Sequence, residues 1–242
     1  MSYDKQQATE EFTKWSRNYD RGVLQPLLFA PSRRALGARL ARRFGSEPFR
    51  LLDVGCGTGQ FVAEVRDRFP KAEVVALDLV RGMLERGRDR WERIADRVRP
   101  LQGDSERLPF GDQTFDVITC ANSFHHYPHQ DQAIREMRRV LKPDGRLMLL
   151  DGYRDAPWGW FIYDVCVTAV EGAVLHCSRE RMRTLYQQAG LEVMEQRIHR
   201  GPAPFLISEG RRSVSAIPAP HTSSSPTAVV RVPIEHREPR RA

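Results

Sequence analysis

The stretch Leu51-Leu52-Asp53-Val54-Gly55-Cys56-Gly57-Thr58-Gly59 decides the fold. A short apolar run ends in an acid and alternating glycines, and Phe61, Val62, Val65 and Phe69 then recur at helical spacing up to Pro70. Glycines directly after a buried strand let the backbone turn sharply and let a ligand approach where a Cβ would clash. The helix that follows points its free N–H groups at that ligand. An ordinary strand-to-helix turn can use the same residues, so the surrounding pattern has to decide.

That pattern repeats downstream. Glu73–Leu77 is a β-type run closed by Asp78, followed by a helix carrying Met83, Leu84, Trp91 and Ile94. Val98–Leu101 is a strand ending near Asp104, and Phe115–Cys120 a strand followed by a loop with His125 and His126. Ala133, Ile134, Met137, Val140 and Leu141 mark a helix face, Pro143-Asp144-Gly145 a turn, and Arg146–Leu150 a further strand. Leu191–Ile198 and Pro204–Ile207 read as two last strands, behind a helix that Ser178 caps and Gly190 stops. Upstream, residues 10–45 read as helical, with Phe12, Trp15 and Tyr19 in a first segment, breaks at Pro26 and Pro31, and Ala35, Leu36, Leu40 and Phe44 in a second.

Strands alternating with helices predict an α/β fold: a doubly wound, mostly parallel seven-stranded sheet with helices on both faces, Rossmann-like. Right-handed crossovers place every parallel strand's carboxyl end along one edge. The expected organisation is a helical extension at 1–45, an α/β domain at 46–208 with an insertion at about 152–177, and a Pro/Ser/Arg-rich disordered tail at 209–242. Trp158–Cys177 is expected to be one inserted helix.

Composition sets the outer limits. The chain has 242 residues, 40% of them hydrophobic and 29% charged, which excludes a wholly disordered chain and a collagen-like repeat. Lys+Arg 38 against Asp+Glu 31 leaves +7, too small and too dispersed a surplus to predict a nucleic-acid partner. Cys56, Cys120, Cys166 and Cys177 form no CxxC pair, which argues against a zinc cage or disulfide framework and fits a reducing, cytoplasmic setting. The polar, acid-bearing start does not read as a signal peptide, and no apolar run predicts a transmembrane segment. Membrane-surface contact is a weak alternative, because the polar stripe of Trp158–Cys177 is acidic (Asp164, Glu171) rather than basic. Oligomeric state is not legible.

Three further features end successive predicted strands. Asp78 can accept hydrogen bonds from both hydroxyls of a ribose, Asp104-Ser105 can accept from an adenine amine, and Cys120-Ala121-Asn122 close the fourth strand. Together they outline a nucleoside lying across the crevice of such a sheet. A dinucleotide site wants GxGxxG, but the third glycine position holds Gln60 or Val62, depending on the glycine counted from, and no Gly-Lys-Ser/Thr phosphate loop is present. A nucleoside without phosphates fits better.

At this point residues 10–208 resemble the class I S-adenosylmethionine-dependent methyltransferases, nearest the type 11 and ubiquinone/menaquinone C-methyltransferase branch. The resemblance rests on Tyr19-Asp20 after Phe12, the Asp53–Gly59 loop, Asp78 with Met83-Leu84, Leu108-Pro109-Phe110 before Phe115-Asp116, and Arg139–Gly145. It implies S-adenosyl-L-methionine as cofactor, with Asp53, Gly55, Gly57, Thr58 and Gly59 around its methionine part. It also implies Asp78 on the ribose, Leu79 and Met83 beside the adenine, Asp104 and Ser105 on the adenine edge, and Ala121 and Asn122 beside the sulfonium. Tyr19 would close over the cofactor. Where quinone methyltransferases carry an Arg-Asn pair, this chain has His125-His126, and the double-Glu loop and Asn/Asp-Pro-Pro-aromatic motif of enzymes acting on macromolecules are missing.

The expected activity is therefore methyl transfer to a small, hydrophobic or aromatic acceptor, with a quinone-biosynthesis or lipid methyltransferase as the alternative. An NAD-dependent oxidoreductase and a non-catalytic cofactor-binding protein are the competing classes. Alignment of acceptor, methyl and sulfur can supply about 7–11 kcal/mol of barrier lowering, and a base is needed only when the acceptor must lose a proton. His126 is the first candidate for that base and His125 the second, against a plain loop-packing role. His129, His176 and His199 show no convincing partners, and no metal site is expected. Trp158, Trp160, Phe161, Tyr163 and Val167 are candidates to line an acceptor pocket, against a core or dimer helix.

Overall fold

A computed structural model describes residues 29–95, 98–171, 174–212 and 230–231. The first helical segment of the N-terminal extension, with Tyr19, lies outside them. Chain order is α1 (Ala30–Phe44), β1 (Arg50–Val54), α2 (Gln60–Arg68), β2 (Glu73–Asp78), α3 (Arg81–Arg86), α4 (Arg88–Arg93), β3 (Val98–Gln102), β4 (Phe115–Ala121), α5 (Gln130–Val140) and β5 (Leu141–Gly152). Then come α6 (Pro157–Trp160), a π-helical turn (Phe161–Val167), α7 (Thr168–Glu171), α8 (Arg179–Gln188), β6 (Leu191–His199), β7 (Phe205–Arg212) and β8 (Val230–Arg231).

The strands form one sheet in the order β6-β7-β5-β4-β1-β2-β3-β8. β1 to β5 pair in parallel, while β7 runs antiparallel to both β5 and β6. The seven expected strands are present, and Val230–Arg231 adds an eighth, antiparallel to β3. The chain winds outward through β1-β2-β3 and then restarts at β4 on the other side of β1, so the winding reverses between β1 and β4. Ligand crevices of open α/β sheets form at such a reversal.

Period-two alternation sends neighbouring side chains to opposite faces. Leu51, Val117 and Met148 pack with Leu36 and Leu40 of α1 and Phe61, Val62 and Val65 of α2; Leu52, Ile118 and Leu149 pack with Ile134 and Met137 of α5 and Leu185 of α8. Each fully buried side chain of this kind contributes roughly 1.5–3 kcal/mol. Pro31 sits in the first turn of α1, where its missing N–H costs nothing. Ser178 caps α8 by accepting from the Arg181 N–H at 3.0 Å, and Gly190 ends that region at φ +75°.

Several expectations need correction. The helix expected over Met83–Ile94 is two short helices parted at Gly87, where a Cβ would stand 2.5 Å from the Thr58 carbonyl oxygen. Pro143-Asp144-Gly145 is not a separate turn but an irregular stretch inside β5: the register steps from Phe115↔Leu141 to Val117↔Arg146. The inserted helix is broken into α6, a π-helical turn and α7, and residues 174–178 are not helical. Residues 209–212, expected in the tail, complete β7. Their place is fixed by pairing with both β5 and β6 and by Arg39 of α1, whose buried guanidinium faces Glu209 at 3.7 Å and Glu195 at 3.1 Å.

Candidate cofactor site

The cleft lies on the carboxyl edge of β1, β2 and β4 and the loop after β3. Gly55, Gly57 and Gly59 all have positive φ (+73°, +57° and +79°). At Gly55 the constraint is steric as well: a Cβ there would stand 2.1 Å from Ser123 Oγ and 2.9 Å from Tyr127 Oη. The loop is pinned to β2, since the N–H groups of Gly55 and Cys56 both donate to the Leu77 carbonyl, at 2.8 and 3.1 Å.

Asp78 holds the turn from below. Its carboxylate accepts from the Gly57 N–H at 2.7 Å and from the Val80 N–H at 2.8 Å, one on each oxygen. A carboxylate oxygen has a second lone pair, so both remain able to accept from a pair of vicinal hydroxyls. Burial pushes the group up to about 6, against the pull of those two donors. Asp53 is pushed further, to about 7, mainly by burial and partly by the charge of Asp78, while the Thr119 hydroxyl holds it down. Burial and the same two acids keep the Cys56 thiol well above its ordinary value, so it stays a neutral packing group.

The far wall has an apolar side and a polar edge. Leu79, Val80 and Met83 face the cleft, as do Asp104, Ser105 and Glu106. Asp104 Oδ1 accepts from the Glu106 N–H at 2.9 Å, which fixes the direction of its carboxylate. A flat apolar heterocycle with an exocyclic donor suits that arrangement.

Ala121 and Asn122 form the floor at the end of β4. Asn122 adopts φ +53°, a conformation asparagine tolerates better than most residues. Its Nδ2 donates to Ser32 Oγ at 3.0 Å, which ties α1, with Phe29 and Arg33, to the rim of the cleft.

Of the residues singled out in the sequence, Asp53, Gly55, Gly57, Thr58, Asp78, Leu79, Met83, Asp104, Ser105, Ala121, Asn122 and His126 line this one cleft. Gly59 does not: its α-carbon faces Trp91, whose ring a Cβ would strike. Its task is to seat α2 against α4.

His125 also turns away. It is 6% exposed, donates its backbone N–H to Asp151 Oδ2 at 2.9 Å, and places its ring Nδ1 2.6 Å from Asp151 Oδ1. Burial works to raise the Asp151 carboxyl, but His125 and then His176 outweigh it and hold the group below its ordinary value. His176 thus has partners that the sequence did not reveal. The His125 and His126 rings lie 4.0 Å apart between centroids.

The aromatic residues expected to line an acceptor pocket divide. Trp158, Trp160 and Phe161 are exposed (56%, 51% and 45%), and only Tyr163 is buried, against Gly152 and His176. Residues the sequence reading passed over include Ser123 and Tyr127, whose hydroxyls lie 3.1 Å apart in the cleft, each within reach of the Cys120 thiol. Their i, i+4 spacing just after β4 was the available signal. Thr119 and Asp151 carried none, because each acts through a partner distant in sequence.

Comparison with known proteins agrees with this geometry. The family described as "Methyltransferase domain" matches residues 51–145. The demethylmenaquinone methyltransferase of Deinococcus radiodurans is 38% identical over 149 residues, 61% of this chain and 61% of that protein, so the match spans under two thirds of its length. The ubiquinone/menaquinone biosynthesis C-methyltransferase UbiE of Burkholderia cenocepacia is 30% identical over 205 residues, 76% of this chain and 84% of that protein. Among solved structures, the Burkholderia thailandensis 1,6-didemethyltoxoflavin-N1-methyltransferase, with S-adenosylhomocysteine bound, shares the fold at TM-score 0.68 and 19% identity, over 88% of this chain and 91% of that one.

S-adenosylmethionine, the methyl donor whose demethylated product S-adenosylhomocysteine is bound in the toxoflavin-enzyme structure, fits the residues present. A glycine turn at positive φ lining the open cleft, two desolvated acids able to meet a cation, and an apolar wall with a polar edge are the features it needs. The chain belongs to the class I S-adenosylmethionine-dependent methyltransferases.

Proposed function

We propose that this chain transfers the methyl group of S-adenosylmethionine to a small hydrophobic or aromatic acceptor. The observation that carries the reading is the convergence of Asp53, Asp78 and Asp104 with the glycine turn on one rim, and of His126 and Tyr127 at the same cleft. Bound there, the cofactor supplies an electrophilic methyl on a sulfonium. Gly55, Gly57 and Thr58 surround its methionine part, Asp78 takes the ribose hydroxyls, Leu79 and Met83 flank the adenine, and Asp104 with Ser105 reads its edge. Asp53 faces the positive charge, and Ala121 and Asn122 form the floor beside it. Such a site works mainly by holding acceptor and donor in line while excluding water. His126 accepts the acceptor's proton when a phenol, hydroxyl or carbon acid must lose one.

A quinone acceptor is the second reading, favoured by the names of the relatives described above. Against it stands His125-His126, where quinone enzymes of this resemblance carry Arg-Asn. We place the protein in the cytoplasm, consistent with the finding that no described helix is long and apolar enough to cross a membrane.

The deciding experiment supplies methyl-labelled S-adenosylmethionine and fractionated cell extract, and scores label in small-molecule, lipid, protein and nucleic-acid pools. Label in the small-molecule pool is the expected result, and in prenylated quinones it supports the second reading. Label confined to protein or nucleic acid overturns both. Calorimetry should show binding of S-adenosylhomocysteine and none of NAD(H). Cofactor binding with no transfer to any pool would instead indicate a non-catalytic binding protein.

A further inference from the structure

Outside the cleft lining, three chain segments bring metal-ligating side chains to one buried point. His125 comes from the short turn after β4, Asp151 from the end of β5, and His176 from the stretch before α8. One ligand atom from each lies within 4.8 Å of the other two, and all three residues are buried. Among the described residues this is the one group of three or more His, Cys, Asp or Glu so placed.

Both imidazoles address the same carboxylate oxygen. His125 Nδ1 stands 2.6 Å from Asp151 Oδ1 and His176 Nδ1 stands 3.8 Å from it. Orienting one histidine takes one imidazole and one carboxylate, and the first distance is that hydrogen bond. The second is too long for a hydrogen bond. It is close to the separation of two ligand atoms that share an ion, roughly 3.4 Å for ligands about 2.0–2.1 Å from a tetrahedral centre. Entry of an ion displaces the proton between His125 and Asp151, and that pair then opens by under about 1 Å to reach the same separation.

We propose that His125, Asp151 and His176 form a binding site for a divalent first-row transition ion of the zinc or iron(II) class. Two imidazole nitrogens and one carboxylate oxygen suit such ions, whereas calcium and magnesium favour all-oxygen sets. Three protein ligands also leave at least one coordination position open. His176 follows the 157–171 segment, so an ion held there clamps the exit of that segment onto the ends of β4 and β5. Binding and local stability are then linked.

The test uses full-length, tag-free protein, stripped with chelator and titrated with cobalt(II) and then with zinc(II). The expected result is one equivalent of cobalt per chain, visible bands of nitrogen and oxygen coordination, displacement by zinc, and a rise in melting temperature with zinc. His176→Ala and Asp151→Asn each weaken cobalt binding by about 100-fold or more, the scale expected for loss of a ligand when outer-shell partners alone are worth 10–100-fold. Substoichiometric cobalt, a thiolate-to-cobalt band pointing to cysteine, or unchanged affinity in both variants overturns the site. If the variants fail to fold, the spectrum and stoichiometry of the unaltered protein decide alone. A protein that binds S-adenosylhomocysteine but no cobalt loses this proposal and keeps the methyltransferase reading.

Discussion

Thr119 Oγ1 donates a 2.6 Å hydrogen bond to Oδ1 of Asp53, and the two residues face one another across the parallel β1–β4 pair. The bond therefore spans the junction at which the winding of the sheet reverses. It supports an acid that burial has pushed up to about 7, at the base of a cleft suited to a cationic ligand. The hydroxyl stabilises the charged form without neutralising it, which leaves the carboxylate's field for the ligand.

That arrangement makes cofactor binding depend on pH. Asp53 and Asp78 have folded values of about 7 and about 6, above the 3.8 of a free aspartate. The folded state thus favours their protonated forms, and their contribution to stability falls as pH rises from about 4 to about 7. A bound sulfonium favours the charged forms instead. S-adenosylmethionine should bind more tightly as pH rises through that range, releasing protons, and S-adenosylhomocysteine, whose sulfur is a neutral thioether, should show a weaker trend. Calorimetry in two buffers of different ionisation enthalpy measures the protons directly, and net uptake would contradict the assignment.

Replacing Thr119 by Val removes the donor and keeps the shape. The Asp53 carboxyl should rise further, and the midpoint of the pH dependence should move upward with it. An unmoved midpoint would assign the titration to another group.

Asp78→Ala should weaken S-adenosylhomocysteine binding at least about tenfold, equivalent to about 1.4 kcal/mol. Because Asp78 also accepts from the Gly57 N–H, circular dichroism and a melting curve must accompany the titration. An intact fold with unchanged affinity would remove Asp78 from the ribose.

The two adjacent histidines should separate. His126 lines the cleft, so His126→Ala should lower kcat at least about tenfold and change cofactor affinity little; a near-normal rate returns it to packing. His125→Ala leaves the buried Asp151 carboxylate without its nearest partner and should destabilise the protein by about 3 kcal/mol in denaturant melts.

Gly59→Ala should cost on the order of 2–4 kcal/mol, combining strain at φ +79° with a Cβ driven into the Trp91 ring. Gly45→Ala is the control, because φ is +56° there but nothing stands within 4 Å of the added carbon. It should cost about 1 kcal/mol. Equal losses in the two melting curves would show that backbone conformation alone sets the penalty.

Much of this was legible in the sequence because it is local. Alternation of apolar runs with helical stripes gave the sheet and its order of elements, and Asp78, Asp104 and Asn122 were found because each stands at or within two residues of the end of a strand that defines the rim. A parallel α/β sheet turns such one-dimensional positions into a single edge by its handedness. What the sequence could not supply depends on contacts between distant segments. Gly59 looks like Gly55 and Gly57 in the chain, yet Trp91 decides that it packs rather than binds. His125 and His126 are neighbours with opposite fates, because Asp151 at the end of β5 captures one ring and leaves the other at the cleft. The break at Gly87 and the completion of β7 past residue 208 likewise follow from Thr58, Arg39 and the flanking strands. Periodicity and turn chemistry act within a few residues. Burial, pairing and shifted acidity exist only once the sheet has brought remote residues into contact.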